Sequence, residues 1–396
     1  MNLPDTLFLW WLGRPDQPVY VGELRTVRTM RGVSLAYAAS WLQNGFALSE
    51  DLPLRSGEHM PTEKDTAAGA VDDSRPDRWG ERVIRYIDKP LRLGLLDFLY
   101  WSGDERFGAL GVSVSPYQYA PRWSGPLPTL EDVPTLQSLV DQVLRNEPLA
   151  PELQRLIAPG GTLGGAKPKA LAMIDGQAWV IKFQEPADLF NTPLVEHATL
   201  TLAALAGIQV AETRVITLPQ SRHALAVKRF DRAHGQRLHA LSAHVVLRAA
   251  GEPMGYPELA QWLRRHAPAS SYRAQMAELF RRMVFNILID NTDDHEKNHV
   301  VLMNEQGQFT LSQAFDVLPM AQGLAYQQMR VGRDGLDATL DNALSEHAQF
   351  GLSLPEAKAQ VRQVSQVTQH WKAHFSALGV RVRDMDTLAA GIDKPR

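Results

Sequence analysis

NILIDNTDDHEKNHVV, residues 286–301, is an apolar run that stops at a tight cluster of carboxylates, imidazoles, a lysine and an asparagine between Asp293 and His299. Two chemistries compete for it. Read as His295-Glu296-x-x-His299, it has the spacing at which a helix presents two zinc ligands and a general-base glutamate, the signature of a metallopeptidase. Read as Asp293-x-x-x-x-Asn298, it has the spacing at which a phosphotransferase loop carries a base and a magnesium ligand. The zinc reading needs a continuous helix through both histidines. Asn291, Thr292, Asp293 and Asp294 favour caps and turns, and His299 opens a strand-like Val-Val-Leu, so that helix is not expected.

The phosphotransferase reading makes three further demands, and the chain meets them in order. A glycine-rich segment, PGGTLGGAKPK (159–169), offers backbone amides to phosphate. Lys182 follows on a strand, WVIKF (179–183), and Asp316 stands in Phe315-Asp316-Val317 behind a hairpin pattern at 299–315. In these roles Asp293 accepts the proton of an acceptor hydroxyl, while Asn298 and Asp316 offer hard oxygen donors to Mg²⁺. The glycine segment lacks the Gly-Lys-Ser/Thr ending of a P-loop, which disfavours that NTPase class.

Outward from the site, the patterning separates a β-rich half from a helical half. Residues 1 to about 120 alternate short apolar runs (Thr6 to Leu12, Val19 to Leu24, Leu110 to Val114) with turn residues. The polar stretch from Glu58 to Arg78 reads as a surface loop leading into a helix near Trp79. PYQYAPRWSGPLP (116–128) marks a boundary, and helical periodicity follows from Thr129 to Arg145. A hairpin turning at Asp175-Gly176, a helix over Leu194 to Ala206 and a second hairpin with strands near 212–218 and 224–230 come next. In the strand before Phe183, Ala178, Val180 and Lys182 share one face while Trp179, Ile181 and Phe183 share the other. From about 231 onward the pattern is helical, with a strong apolar stripe over 276–289.

Composition sets outer limits. The 396 residues suggest more than one domain. Forty-one basic against forty-four acidic residues give a net charge of −3, so no general attraction to nucleic acid or membrane is expected. The absence of cysteine removes thiol nucleophiles and cysteine-ligated metals. LFLWWLG (7–13) lacks a basic flank and a cleavage site and reads as a buried strand. No run approaches the roughly 18 to 20 apolar residues of a spanning helix, and a cytoplasmic location is expected.

The ordered blocks VYVGEL (19–24), RPDRWGERVI (75–84), GDERFGALGVS (103–113), GGTLGGAKPK, WVIKF, VKRFDR (227–232), RLHALSA (237–243), DDHEKN and AFDV resemble the HipA-type serine/threonine kinase toxins of bacterial toxin–antitoxin systems. The resemblance implies an α+β, divergent two-lobed protein-kinase-like fold. Its parts would be a β-rich module at 1–125, a nucleotide-binding small lobe at 126–230 and a mostly helical lobe at 231–396. It implies ATP and Mg²⁺ as cofactors, with Asp293 as base and Asn298 and Asp316 as metal ligands. Gly164, Gly165, Ala166, Lys167, Pro168 and Lys169 would form the phosphate loop, and Lys182 would meet the α/β-phosphates. Lys228, Arg229 and Phe230 would form the hinge beside adenine, and His295, Glu296, Lys297 and Asn298 the nucleotide-facing catalytic loop. Thr162 would take the place of the serine that the family autophosphorylates. The implied partners are a protein substrate, with an aminoacyl-tRNA synthetase as the family's example, and a helix-turn-helix antitoxin that links the chain indirectly to operator DNA. Two departures stand out: Lys228 replaces a glutamate common in the hinge, and Asp294 replaces the glycine of Asp-Gly-His, placing an extra carboxylate beside the metal ligands. The alternative from another class is a catalytically weak, kinase-shaped co-repressor, and the zinc peptidase is third.

Overall fold

The computed structural model describes residues 3–157, 165 and 167–396. The packing gathers them into two compact units, 1–183 with 231–241, and 184–230 with 242–396, so the expected segment 126–230 is shared between them.

The first unit is built on a five-stranded antiparallel sheet whose strands run, across the sheet, Glu58–His59, Gly32–Tyr37, Val19–Val27, Thr6–Trp11 and Leu110–Ser113. Alternation seats Leu7 and Leu9 of the first strand and Val21 and Leu24 of the second in the core. The stretch expected as a surface loop is where the structure departs from the sequence reading. Thr66 through Asp72 are buried, and Gly69–Ser74 form a 3-10 helix. Small side chains make this affordable: Ala67 bridges Val33 in parallel register, the Ala70 amide donates to Ser49 Oγ at 3.1 Å, and the Ala67 amide donates to Asp72 Oδ1 at 2.8 Å. The polar atoms of the segment are satisfied internally, so its low hydrophobicity does not force it outward.

Asp77 then caps the helix Arg78–Ile87, its Oδ1 accepting from the Gly80 amide at 2.7 Å. The hairpin Lys169–Ile174 / Gln177–Phe183 turns at Asp175-Gly176, both at positive φ (51° and 71°), the backbone of a type I′ turn. Its register pairs Lys169 with Lys182. Trp179, Ile181 and Phe183 on one face are fully buried, while on the other face Ala178 and Lys182 are half-buried and Val180 between them is buried as well. Residues 231–241, expected to begin the helical part, instead form a short hairpin, Arg232–Ala233 with Gln236–Arg237. A hydrogen bond and an ion pair fix it within this unit: Asp231 Oδ2 accepts from the Gly108 amide at 2.8 Å, and Arg237 pairs with Asp104 at 2.8 Å.

In the second unit the helix Thr192–Leu205 starts at Asn191, whose side chain accepts from the Leu194 amide, with Pro193 in the first turn. A hairpin follows, Thr213–Leu218 with Arg222–Lys228. The remainder is largely helical, and the helix Tyr272–Leu288 is buried on most of its surface, so it forms the spine of the unit. Directly after it come the turn that carries Asp293 and the hairpin Val300–Met303 / Phe309–Leu311. No helix among the described residues is long and apolar enough to cross a membrane.

Candidate active site

The spine helix ends by a sharp reversal. Asp290 takes a left-handed conformation (φ 60°), and the Asn291 amide turns back to the Asn286 carbonyl at 2.9 Å. Beyond this turn Asp293 projects with its carboxylate open to solvent, making no hydrogen bond or ion pair among the described residues. Its pKa is raised by partial burial and by the neighbouring carboxylates Asp316 and Asp294, against the opposing effect of His295. A base with a raised proton affinity and no competing partner suits proton acceptance from a hydroxyl.

Residues 296–298 form a single 3-10 turn capped by His295, whose Nδ1 accepts from the Lys297 amide at 3.3 Å. His299 already has extended backbone (φ −111°, ψ 118°). The two histidines therefore do not share a helix face, which removes the geometry that the zinc peptidase reading requires. His299 is also engaged elsewhere, with its Nε2 on Asp294 Oδ2 at 2.8 Å.

Asn298 is buried, and its carboxamide makes no hydrogen bond among the described residues. Its amide oxygen is a hard donor with no competing hydrogen bond among the described residues, which fits a ligand position. Asp316 is delivered from the other side. Ala314 is bridged to Val210, Phe315 packs against Ala211, Leu225 and Val227, and the chain then turns left-handed at Asp316 (φ 56°). The carboxylate of Asp316 and the amide oxygen of Asn298 are hard donors of the kind that suit a divalent cation.

Asp294, expected to add negative charge beside the metal ligands, points inward instead. It is fully buried and accepts from Tyr256 Oη, from Asn286 Nδ2 at 2.9 Å and from His299 Nε2. Burial alone would raise its pKa, but His299 and the Tyr256 hydroxyl hold it below the usual carboxylate value. It anchors the loop from beneath. Glu296 is likewise fixed: burial pushes its pKa up, but the hydrogen bond with His244 at 3.0 Å and its own backbone amide bring it down to about 2.

The hinge residues lie at the end of the strand Arg222–Lys228. The Lys228 amide donates to the Glu212 carbonyl at 2.9 Å, and its ammonium meets the Glu212 carboxylate at 3.3 Å, so the residue just before the neighbouring strand supplies an acidic group next to the lysine that replaced one. Arg229 is buried, and the Phe230 ring lies 5.1 Å from Phe315. In the first unit, Lys169 is not turned to a loop surface. Its buried ammonium pairs with Asp77 at 2.5 Å and donates to the Gly165 carbonyl at 3.1 Å, so its position reads as an anchor for Gly165. The Pro168 carbonyl accepts from the Phe183 amide at 3.0 Å, and Lys167 is half-buried. Gly164, Ala166 and Thr162 lie outside the described residues.

With this geometry in hand, two family matches identify the chain. Residues 161–371 match the HipA-like C-terminal domain and residues 17–113 the HipA N-terminal domain. The chain belongs to the HipA family. The Sinorhizobium fredii protein Y4mE, provisionally designated a kinase, is 26% identical over 329 residues, which span 76% of this HipA-family chain and 74% of Y4mE. Y4dM of the same organism, designated likewise, is 29% identical over 155 residues, 36% of this chain and 37% of that protein. Among solved structures, Shewanella oneidensis HipA, determined in complex with HipB and operator DNA, superposes with a TM-score of 0.67 over 98% of this chain and 95% of that one, at 16% identity. At that identity the likeness concerns the fold, and it makes this chain's α+β fold the divergent kinase-like architecture of HipA.

Proposed function

We propose that this HipA-family chain is an ATP- and Mg²⁺-dependent serine/threonine protein kinase. The observation that carries the reading is the convergence of Asp316 on Asp293 beside a loop whose Asn298 carboxamide makes no hydrogen bond among the described residues. Bound Mg²⁺ would supply neutralisation of phosphate charge, with Asn298 and Asp316 as the residues to hold it. Asp293 takes the proton of a serine or threonine hydroxyl as its oxygen bonds to the γ-phosphorus. The bond from that phosphorus to the β-γ bridging oxygen breaks, and ADP departs with the electron pair. Lys182 offers its ammonium to the α/β-phosphates, and the backbone of 228–230 offers hydrogen bonds to adenine. The reading is tested by phosphate incorporation into a general serine/threonine substrate in the presence of ATP and Mg²⁺, and by its loss on chelation.

Lys182→Met is expected to weaken ATP binding by about 1 to 3 kcal/mol, the range for losing a charge-assisted contact. Calorimetric titration checks this, and unchanged affinity would remove Lys182 from the nucleotide site. Thr162, flanked by Gly160 and Gly161 on one side and Gly164 and Gly165 beyond Leu163, is assigned as a site of slow self-phosphorylation in trans. The added charge of about −1.5 to −2 would meet the γ-phosphate and the carboxylates of Asp293 and Asp316, so the modified form is expected to bind ATP less tightly. Mass spectrometry after ATP incubation should find phosphothreonine at 162 in the wild type and none in Asp293→Asn. Active protein that never carries it excludes the switch.

The Shewanella relative was solved with HipB and operator DNA, and this supports a helix-turn-helix antitoxin as partner, with operator contact through it. The phosphorylated protein is assigned by chemistry only, as one that presents an exposed hydroxyl side chain.

A further inference from the structure

Asp290, at the reversal that precedes Asp293, has a fully buried side chain. Its carboxylate receives the guanidinium of Arg396 and the Gly323 amide at 3.2 Å, while its carbonyl accepts from the Met320 amide at 3.1 Å. The Arg396 side chain, only 5% exposed, also donates to the Leu324 carbonyl at 3.0 Å. Lys394 reaches the Gly323 carbonyl at 3.0 Å. Two glycines make the approach feasible. A Cβ at Gly391 would strike the Asp290 carboxylate, and one at Gly323 would strike the Lys394 ammonium. Three segments distant in sequence, namely the turn into the catalytic loop, the stretch 320–324 that follows Asp316, and the segment 391–396, are thus joined around one buried carboxylate.

We propose that Arg396 and Asp290 are a positioning pair that holds the Asp293 turn and the Asp316 segment in register. Neither residue touches substrate. Asp290 tolerates its left-handed backbone because short polar side chains do so more readily than others, and Arg396 supplies the counter-charge that lets its carboxylate remain buried. Without the guanidinium, the carboxylate would draw in water and the turn would relax. Asp293 and Asp316 would then lose their common geometry although every catalytic side chain is still present. This assignment rests on the kinase reading for its kinetic consequence, but not for its structural one.

The test compares wild type, Arg396→Ala, Arg396→Lys and the double variant Arg396→Ala/Asp290→Asn by amide hydrogen exchange and by phosphate-transfer kinetics. Arg396→Ala should speed exchange about tenfold in both 290–298 and 318–324, leave the helix Leu354–Thr368 unchanged, and lower kcat about ten- to a hundredfold with little change in KM for ATP. Arg396→Lys, which keeps the charge but cannot bridge two acceptors in the same way, should fall between. Free guanidinium, or removal of the stranded charge in the double variant, should restore part of kcat and of the exchange protection. If exchange rises uniformly over the unit, or if neither guanidinium nor the second substitution restores anything, the pair is only a source of general stability and the proposal is overturned. A wild type that transfers no phosphate defeats the kinase reading alone, because the exchange arm still reads the pair.

Discussion

Asp293→Asn is expected to lower phosphate transfer by about 10²- to 10⁴-fold, the range attributed to a positioned general base, while ATP affinity stays close to that of the wild type. The carboxylate makes no hydrogen bond or ion pair among the described residues, so the isosteric amide disrupts no protein contact. It also relieves the partial burial of charge and the repulsion from Asp316 and Asp294 that together raise the carboxylate's pKa, so the variant should fold at least as stably as the parent. The amide cannot take up the hydroxyl proton, and only the chemical step suffers. Single-turnover transfer from labelled ATP, with nucleotide binding measured on the same samples, separates the two effects. Transfer within a few-fold of wild type would mean that another group is the base.

The second large effect falls on its neighbour and is of the opposite kind. Asp294→Ala should destabilise the protein by about 3 to 5 kcal/mol, as expected when one partner of a buried charged network is removed and the others are left unsatisfied. Tyr256, Asn286 and His299 all donate to this carboxylate, and His299 Nδ1 is already buried without a partner among the described residues. Denaturant unfolding measures the loss. The pH dependence carries a sign as well: because the folded carboxylate has a lowered pKa, its stabilisation is present above the unfolded value and is lost as pH falls through the folded one. A change below about 1 kcal/mol, the size of a surface effect, would show that the inward network does not hold the loop.

These adjacent aspartates also show what the sequence could and could not reveal. The spacing of Asp293, Asn298 and Asp316, the alternation that seats Lys182 on the less buried face, and the Asp175-Gly176 turn are local or periodic signals. Each was legible because chemistry or backbone geometry demands a residue type at a fixed offset. Which way Asp294 points was not legible, because it depends on Tyr256 and Asn286 arriving from two different helices. The same holds for Lys169, whose partner Asp77 lies 92 residues away, and for Asp290, whose counter-ion lies 106 residues away. The burial of 66–72 was hidden for a related reason. Its Ala-Gly run carries little hydrophobic signal, and its polar groups are satisfied by residues such as Ser49 that no periodicity links to it. The family blocks were recognisable in order, and the fold class followed from them. The Asp231–Leu241 hairpin was missed because its anchors are ion pairs to Asp104 and a backbone amide at Gly108, which leave no pattern along the chain.

The most direct test of the central claim is incubation of the purified protein with γ-labelled ATP and Mg²⁺ in the presence of a serine/threonine substrate, with elemental analysis of the same sample. The account predicts label transferred to hydroxyl side chains, dependence on Mg²⁺, loss in Asp293→Asn and no stoichiometric zinc. Absence of transfer from a folded protein that binds ATP would contradict it in favour of a kinase-shaped binding protein, and zinc that is lost on His299→Ala would contradict it outright.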